Sequence, residues 1–408
     1  MDDVQPLHRT HIGRCPLGVA TRASRLAAAA HGWTGTTPVL GHRPARVAEA
    51  PLGAAPVWDG HNAAPEQLRD RYRNMLADFD FTDTTQAPPN GWSEGGMHTD
   101  LPRLRKGHVG AQFWSVYVSA GLPDAEATVA VLEQIDVMKR VIARYPDDLA
   151  FATTADEVAA AMKRGRIASL LGMEGGYAIS DSLAVLRQFY ALGARYMTLT
   201  HSKKMSWADS ATDTPQHDGL TPFGEQVVRE MNRLGMLVDL SHVGAKTSDD
   251  AIRHSKKPVC YSHCCPEALR AHPRNKTDEQ LHFIAERGGF IGVTMFPPFL
   301  PRGADSSLDD YLDAIEHVID VAGEDQVGIG TDMTQGQDRD FFDWITHDKG
   351  TGRKLVDFGE IKNPPGFQRL GEFPNLTAAM EKRGWPEPRI RKIMGENWVG
   401  LLREVWGA

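Results

Sequence analysis

The 408-residue chain has only four cysteines, no extended uncharged apolar stretch and no excess of positive charge. Four cysteines are too few for a disulfide scaffold, and none of them forms the C-x-x-C pair of thiolate zinc sites. No apolar stretch approaches the roughly 20 residues of a membrane-spanning helix, so the sequence predicts no membrane span. With 45 Lys and Arg against 53 Asp and Glu, the net charge of −8 argues against a nucleic-acid partner.

The N-terminal region differs in composition from the rest of the chain. Residues 1–50 are rich in Ala, Arg, Thr and Gly and show no sustained hydrophobic period. They also lack the apolar core of ~7–15 residues that a signal peptide needs. We therefore expect an N-terminal extension of uncertain order over residues 1–50, a folded domain over residues 51–408, and a cytoplasmic protein.

From residue 51 onward, short apolar runs alternate with segments of helical periodicity. Several runs are almost continuously apolar, as expected for parallel strands that are buried on both faces. Alternation repeated eight times predicts a (β/α)₈ TIM-like barrel with long loops over its C-terminal face. An open doubly wound sheet is the alternative, but the Gly-rich phosphate loop that often accompanies it is missing. The predicted strands are Ala55–Gly60, Val109–Val118, Ile167–Met173, Arg195–Thr200, Met236–Leu240, Pro258–Ser262, Phe290–Met295 and Val327–Gly330.

Two regions do not fit this alternation. Residues 62–107 and 333–374 are long, weakly periodic and rich in Pro, Gly, Asp and aromatic residues. Each follows a predicted strand, so in a barrel both begin on the catalytic face. Long loops in a compact domain are usually functional or disordered, and we expect these two to form walls or lids over a site.

Six of the eight predicted strands are followed by a histidine or a carboxylate. In a barrel the carboxyl ends of the strands converge, so these side chains can meet in one pocket. Each histidine could instead be a separate polar cap. Histidine is scarce, at 16 residues, and its recurrence at four strand ends favours a shared site. The six residues are His61, Glu174, His201, His242, His263 and Asp332.

Imidazole nitrogen and carboxylate oxygen together suit zinc and similar ions. Two imidazoles and a carboxylate leave a coordination position for water, whose pKa can then fall to ~7. A further carboxylate can take up the proton and return it to a leaving group, and Asp332 is placed for this role. The pattern predicts metal-assisted hydrolysis.

A series of short motifs follows in order along the chain. They include WDGHN (58–62), GMEGG (172–176), MLVDLSHV (236–243), HPRN (272–275) and VGIGTD (327–332). With these motifs, residues 55–405 resemble the membrane (renal) dipeptidase family, zinc peptidases of the amidohydrolase superfamily. The closing segments FPNLTAAMEKRGW and IRKIMGENWVGLLREV are also similar to that family.

The resemblance implies a role for each strand-end residue. Glu174 matches a glutamate that bridges two zinc ions, and His242 and His263 match the two histidines that hold one of them. His61 matches the histidine of an H-x-D motif that holds the other ion.

Three further residues match positions that act on the substrate. Asp332 matches the acidic proton shuttle. His201 matches a histidine that positions the substrate and stabilises the tetrahedral intermediate, and Arg274 matches an arginine that pairs with the substrate's terminal carboxylate.

The sequence departs from the family at Ala63, which stands where the H-x-D motif has its aspartate. Asp59 could swing in, or it could orient His61 or a neighbouring backbone group. The site could hold two ions with water in place of the carboxylate, hold only the Glu174–His242–His263 ion, or be catalytically impaired. Among these we expect weak or unequal occupancy of the ion at His61.

The leading functional hypothesis is a zinc metallo-dipeptidase that hydrolyses a dipeptide or a closely related amide. One alternative is a hydrolase of a non-peptide amide or lactam in a specialised pathway, suggested by the long loop at 333–374. The other is a binding protein that has lost catalysis, suggested by Ala63. A homodimer is possible, with Trp385, Trp398 and Trp406 as interface residues, although packing of the last helix on the barrel explains them equally well.

Overall fold

The computed structural model describes residues 56–88, 95–335 and 362–407. All eight predicted strands are present there, together with a ninth, β3, whose three residues are too few to show a hydrophobic period. The predicted extension, residues 1–50, lies outside the described residues. The strands are β1 Val57–Asn62, β2 Val109–Ser115, β3 Leu149–Phe151, β4 Ile167–Glu174, β5 Ala194–Thr198, β6 Leu237–Asp239, β7 Cys260–Cys264, β8 Phe290–Val293 and β9 Val327–Ile329.

Eight of these strands pair side by side, all in parallel, in the order β1-β2-β4-β5-β6-β7-β8-β9. The short β3 pairs with the start of β4, where Leu149 lies opposite Ile167. The first and last strands of the barrel meet through Asp59, whose carboxylate accepts hydrogen bonds from the backbone N and Oγ1 of Thr331 at 2.8 and 2.6 Å. The predicted (β/α)₈ barrel is confirmed as a nearly closed barrel of eight parallel strands.

Helices follow the strands around the barrel. The region 62–107 contains two of them, Ala64–Tyr72 and Leu101–Lys106, so the prediction of one long loop there was wrong in part. Near the C-terminus a π-helical turn at Lys392–Glu396 joins two helices, Glu387–Arg391 and Asn397–Trp406. The helices are α1 Ala64–Tyr72, α2 Leu101–Lys106, α3 Asp124–Arg144, α4 Ala155–Lys163, α5 Leu183–Leu192, α6 Pro222–Leu234, α7 Ala245–His254, α8 Asp278–Glu286, α9 Leu308–Ala322, α10 Phe373–Lys382, α11 Glu387–Arg391 and α12 Asn397–Trp406.

The inward side chains change character along each strand. Side chains alternate between the two faces of a strand, so every second residue points into the barrel. Near the strand beginnings these residues form one apolar cluster, which includes Phe113, Leu170, Tyr196 and Leu237. Nearer the strand ends, at Ser115, Glu174, Thr198, Asp239 and Ser262, the inward residues are polar and buried. The barrel therefore has an apolar floor beneath a polar mouth.

The C-terminal helix closes the lower end of the barrel. Trp398 in α12 is buried, stacks on Trp58 with ring centroids 6.0 Å apart, and donates from Nε1 to the carbonyl oxygen of Ile329 at 2.9 Å. For Trp398, packing on the barrel is therefore the correct one of the two interpretations. None of the described helices is long and apolar enough to cross a membrane.

Candidate metal centre

The strand-end residues meet around one carboxylate, that of Glu174 at the end of β4. Its Oε2 lies 3.3 Å from Nε2 of His61. Its Oε1 lies 2.9 Å from Nε2 of His242, 3.6 Å from Nε2 of His263 and 3.6 Å from Nε2 of His201. The structure thus brings together all four of the strand-end histidines, although they come from four different strands.

Two overlapping groups of donor atoms share Glu174. One consists of Glu174, His61 and His263, and the other of Glu174, His201 and His242; within each group the ligand atoms lie within 4.8 Å of one another. The expected trio of Glu174, His242 and His263 also converges, because the Nε2 atoms of the two histidines are 3.0 Å apart. His201 lies as close to Glu174 as His263 does, which the sequence did not reveal.

The charge states at this site suit a divalent cation. Burial holds the pKa values of His242 and His263 well below the ordinary histidine value, so both imidazoles are neutral. Burial works to raise the pKa of Glu174, but the positive charge of His61 and a hydrogen bond from His242 hold it well below its usual range. Neutral imidazole nitrogens and an ionised carboxylate are a donor set that zinc takes in proteins, so the residues present fit such an ion.

His61 differs from the other two imidazoles. Burial works to lower its pKa, but the neighbouring Glu174 carboxylate outweighs burial and raises the pKa to about 9. On the other side of the ring, Nδ1 lies 3.1 Å from the hydroxyl of Tyr196. That contact orients the ring with Nε2 towards Glu174.

Asp332 stands at the edge of the cluster, three residues beyond β9. Its Oδ1 lies 4.0 Å from Nε2 of His61, and its side chain is 28% exposed. Burial raises its pKa to about 6, although the charge of His61 opposes the rise. The backbone at Asp332 has a φ of 53°, a left-handed conformation that is uncommon outside glycine and often found at functional sites.

Arg274 reaches the same region from the segment after β7. It is buried, and its Nη1 donates to the carbonyl oxygen of Ser241, the residue before His242. The guanidinium carbon also lies 5.4 Å from the ring centroid of Phe299. The structure therefore places this arginine beside the donor cluster.

The structure also shows why Ala63 leaves one side of the cluster short of a ligand. Strand β1 ends at Asn62, and Ala63 is the N-cap residue of α1. Asp59, the only carboxylate in β1, does not turn towards the cluster: its oxygens accept from Thr331 and from the backbone N of His61 at 3.3 Å. On this side Glu174 therefore meets one imidazole, that of His61, whereas its other oxygen meets three.

Some residues that support the site were not anticipated. Ser115 donates from Oγ to Oε2 of Glu174 at 2.8 Å, and Tyr196 contacts His61 as described above. Both occupy inward strand positions, Ser115 as the last residue of β2 and Tyr196 two residues before the end of β5, and this position is the signal that could have found them. Cys264, which directly follows His263, is buried with a pKa raised to about 12, and neither donor group contains a cysteine among the described residues.

Comparison with known proteins decides the family. The sequence pattern described as "Membrane dipeptidase (Peptidase family M19)" matches residues 46–344. The chain belongs to the membrane dipeptidase family.

Solved structures of similar proteins agree with this assignment. An amidohydrolase from Pseudomonas aeruginosa is 40% identical, with a TM-score of 0.73 over 87% of this chain and 97% of that one. A metallo peptidase from Rhodobacter sphaeroides, liganded with a phosphinate mimic of the dipeptide L-Ala-D-Ala, is 27% identical, with a TM-score of 0.72 over 86% and 99%. The dipeptidase AC is 29% identical, with a TM-score of 0.71 over 86% and 99%. This membrane dipeptidase family member is thus a metal-dependent hydrolase of dipeptides, as the sequence predicted.

Proposed function

We propose that the protein is a zinc dipeptidase with two unequal zinc sites. Glu174, His242 and His263 hold one zinc ion, and Glu174 and His61 hold a second ion more weakly. The observation that carries this proposal is the convergence of both Glu174 oxygens on buried imidazole nitrogens. When bound, zinc supplies Lewis-acid polarisation of the amide carbonyl and of a water molecule.

The roles of the remaining residues follow from their positions. Asp332 accepts the proton of the attacking water and returns it to the nitrogen of the leaving amine, as a carboxylate near the reacting atoms can. His201, beside Glu174, donates a hydrogen bond from Nε2 to the carbonyl oxygen as that oxygen becomes negative.

The substrate is a dipeptide with a free terminal carboxylate. The buried guanidinium of Arg274 offers paired N–H groups for that carboxylate, which a longer peptide would not present at the same distance. The dipeptide mimic bound by the Rhodobacter sphaeroides relative supports the same substrate class and makes L-Ala-D-Ala one compound to test.

The two ions are held unequally because the protein offers them different numbers of ligands. On the His242 side, Glu174 is joined by two imidazole nitrogens that lie 3.0 Å apart. On the other side it is joined by His61, with Asp332 4.0 Å from that ring. We expect one tightly held zinc ion per chain and a second that is lost on dialysis.

A zinc titration of the dialysed protein tests this proposal, with elemental analysis for stoichiometry and a panel of dipeptides for activity. Ala63→Asp should tighten the second binding step by at least tenfold, and aspartate is a favourable residue at the N-cap of α1. Ala63→Asn is the matched control, since asparagine caps a helix equally well but adds no negative charge. Two equally tight ions in the unaltered protein would refute unequal binding, and absence of zinc-dependent dipeptide turnover would refute the proposed function.

The predicted cytoplasmic location, the homodimer and the division at residue 50 stay predictions. Fractionation, sedimentation of the purified protein and limited proteolysis would test them.

A further inference from the structure

A buried carboxylate lies directly behind the His242–His263 side of the donor cluster. Asp239, the last residue of β6, is 0% exposed. Its Oδ1 accepts from the backbone N of Ser241 at 3.2 Å and of Ser262 at 2.8 Å, and from Oγ of Ser241 at 2.7 Å. Its Oδ2 accepts from Oγ of Ser262 at 2.8 Å and from Oγ1 of Thr198. A carboxylate so deeply buried needs such a set of donors, because burial without them would be costly.

These hydrogen bonds determine where the proton of Ser262 lies. An ionised carboxylate can only accept, so the hydroxyl protons of Ser241 and Ser262 both point towards Asp239. The Ser262 oxygen then has only lone pairs left for its two other close neighbours, Oγ of Ser241 at 3.0 Å and Nδ1 of His263 at 2.9 Å. The Ser241 proton is already directed to Oδ1 of Asp239, so it does not reach Ser262. Nδ1 must therefore carry the ring proton, and Nε2 of the neutral imidazole is left with a lone pair.

That lone pair belongs to the atom that faces the cluster. Nε2 of His263 lies 3.0 Å from Nε2 of His242 and 3.6 Å from Oε1 of Glu174. The Ser262 segment has little freedom to move, because a Cβ at Gly292 or Gly330 would overlap its carbonyl oxygen. The chain from Asp239 through Ser262 to His263 is thus buried, directional and tightly packed.

We infer that Asp239 is a positioning residue that acts through Ser262 to hold His263 in the tautomer whose Nε2 can bind a metal ion. This inference rests on the proposed zinc function for its consequence, but the tautomer itself can be observed without any metal. Metal ligands are commonly oriented in this way, and loss of such a partner typically weakens metal binding by 10- to 100-fold.

Asp239→Asn is an informative substitution because the surroundings dictate how the amide is oriented. Two backbone N–H groups face the Oδ1 position, so the amide oxygen must occupy it and the NH₂ group must face Ser262. The NH₂ group then donates to Ser262, which frees the Ser262 hydroxyl to donate to Nδ1 of His263 at 2.9 Å, a shorter contact than the 3.0 Å to Oγ of Ser241. With Nδ1 as the acceptor, the ring proton lies on Nε2, where it blocks metal binding.

The first measurement is ¹⁵N NMR of chelator-treated protein that carries ¹⁵N-labelled histidine, and the His263 signal is assigned by its loss in His263→Asn. The second is a titration with zinc in competition with a chromophoric chelator, which gives the zinc affinity. We expect the Nδ1–H tautomer in the unaltered protein, the Nε2–H tautomer in Asp239→Asn, and zinc affinity 10- to 100-fold weaker in that variant. Ser262→Ala, which keeps the buried carboxylate, should weaken zinc to a similar degree.

Thr198→Val is the matched control. It removes a different donor to the same Oδ2 oxygen but leaves the Ser262–His263 link in place, so its zinc affinity should stay within about threefold. An Nε2–H tautomer in the unaltered protein, unchanged zinc affinity in both Asp239→Asn and Ser262→Ala, or an equal loss in Thr198→Val would overturn the inference. The expected tautomers and zinc affinities without any dipeptide turnover would refute the dipeptidase proposal and still support the positioning role.

Discussion

Acid should destabilise this protein through His98, a histidine outside the donor cluster. His98 is 0% exposed, its Nδ1 lies 2.5 Å from Oγ1 of Thr99, and its backbone N donates to Oε1 of Gln67 at 2.9 Å. Burial lowers its pKa to about 3, and the positive charges of Arg103 and Arg71 act in the same direction. The folded protein therefore keeps this imidazole neutral under conditions in which the unfolded chain protonates it.

The sign and the size of the effect follow from that difference. An exposed histidine in the unfolded chain has a pKa of about 6.5. The free energy of unfolding is therefore unaffected by the titration of His98 well above that pH, and it decreases as the pH falls from about 6.5 towards 3. Each pH unit in this window costs about 1.4 kcal/mol of the free energy of unfolding. Between pH 7 and pH 5 the loss amounts to about 2 kcal/mol, which is a large share of a typical domain's stability.

The test compares urea unfolding of the parent protein and of His98→Phe at several pH values between 7 and 5. Tryptophan fluorescence monitors the unfolding. Chelator is present throughout, so that loss of metal does not contribute. The phenylalanine ring cannot titrate, so the slope of unfolding free energy against pH, averaged between pH 7 and pH 5, should be smaller in the variant by about 1 kcal/mol per pH unit, whatever its constant loss of stability. His282→Asn, on a side chain that is 62% exposed, serves as the control and should keep the parent slope. Equal slopes in the parent and in His98→Phe would show that the buried imidazole is not the acid-sensitive group.

Three further predictions concern the barrel mouth. Asp332→Asn should lower kcat by about 10²- to 10⁴-fold with little change in KM, because the amide cannot transfer the proton. A decrease in kcat of less than tenfold in steady-state assays would contradict the role of Asp332 as proton shuttle. Arg274→Lys should raise KM for dipeptides by about 10- to 100-fold, because lysine lacks the planar guanidinium that binds a carboxylate through two N–H groups. KM for the corresponding dipeptide amides should stay unchanged. Equal effects on both substrates would show that the arginine does not bind the carboxylate. Thr331→Val should lower the free energy of unfolding by about 1.5–3 kcal/mol, because Asp59 loses the 2.6 Å hydrogen bond from Oγ1 of Thr331 that helps to join the first and last barrel strands. An unchanged midpoint of urea unfolding would contradict this account of barrel closure.

Local patterns along the chain were enough to predict the barrel and the identity of the donor residues. The apolar runs were visible because parallel strands are buried on both faces. Glu174 and the histidines stood out because each follows such a run, and the geometry of a barrel sends all strand ends to one mouth. These inferences needed only nearest-neighbour information, since strand position and strand end are local properties.

The partners of those residues were not predictable in the same way. His61 meets Tyr196 across 135 positions of sequence, and Asp59 meets Thr331 across 272. Likewise, the contact of Ser262 with Asp239 depends on the register between β6 and β7, in which Asp239 lies opposite Cys260. Strand register and barrel closure depend on the packing of the whole interior, so no short stretch of sequence contains the information that selects these neighbours, their protonation states or the tautomer of His263.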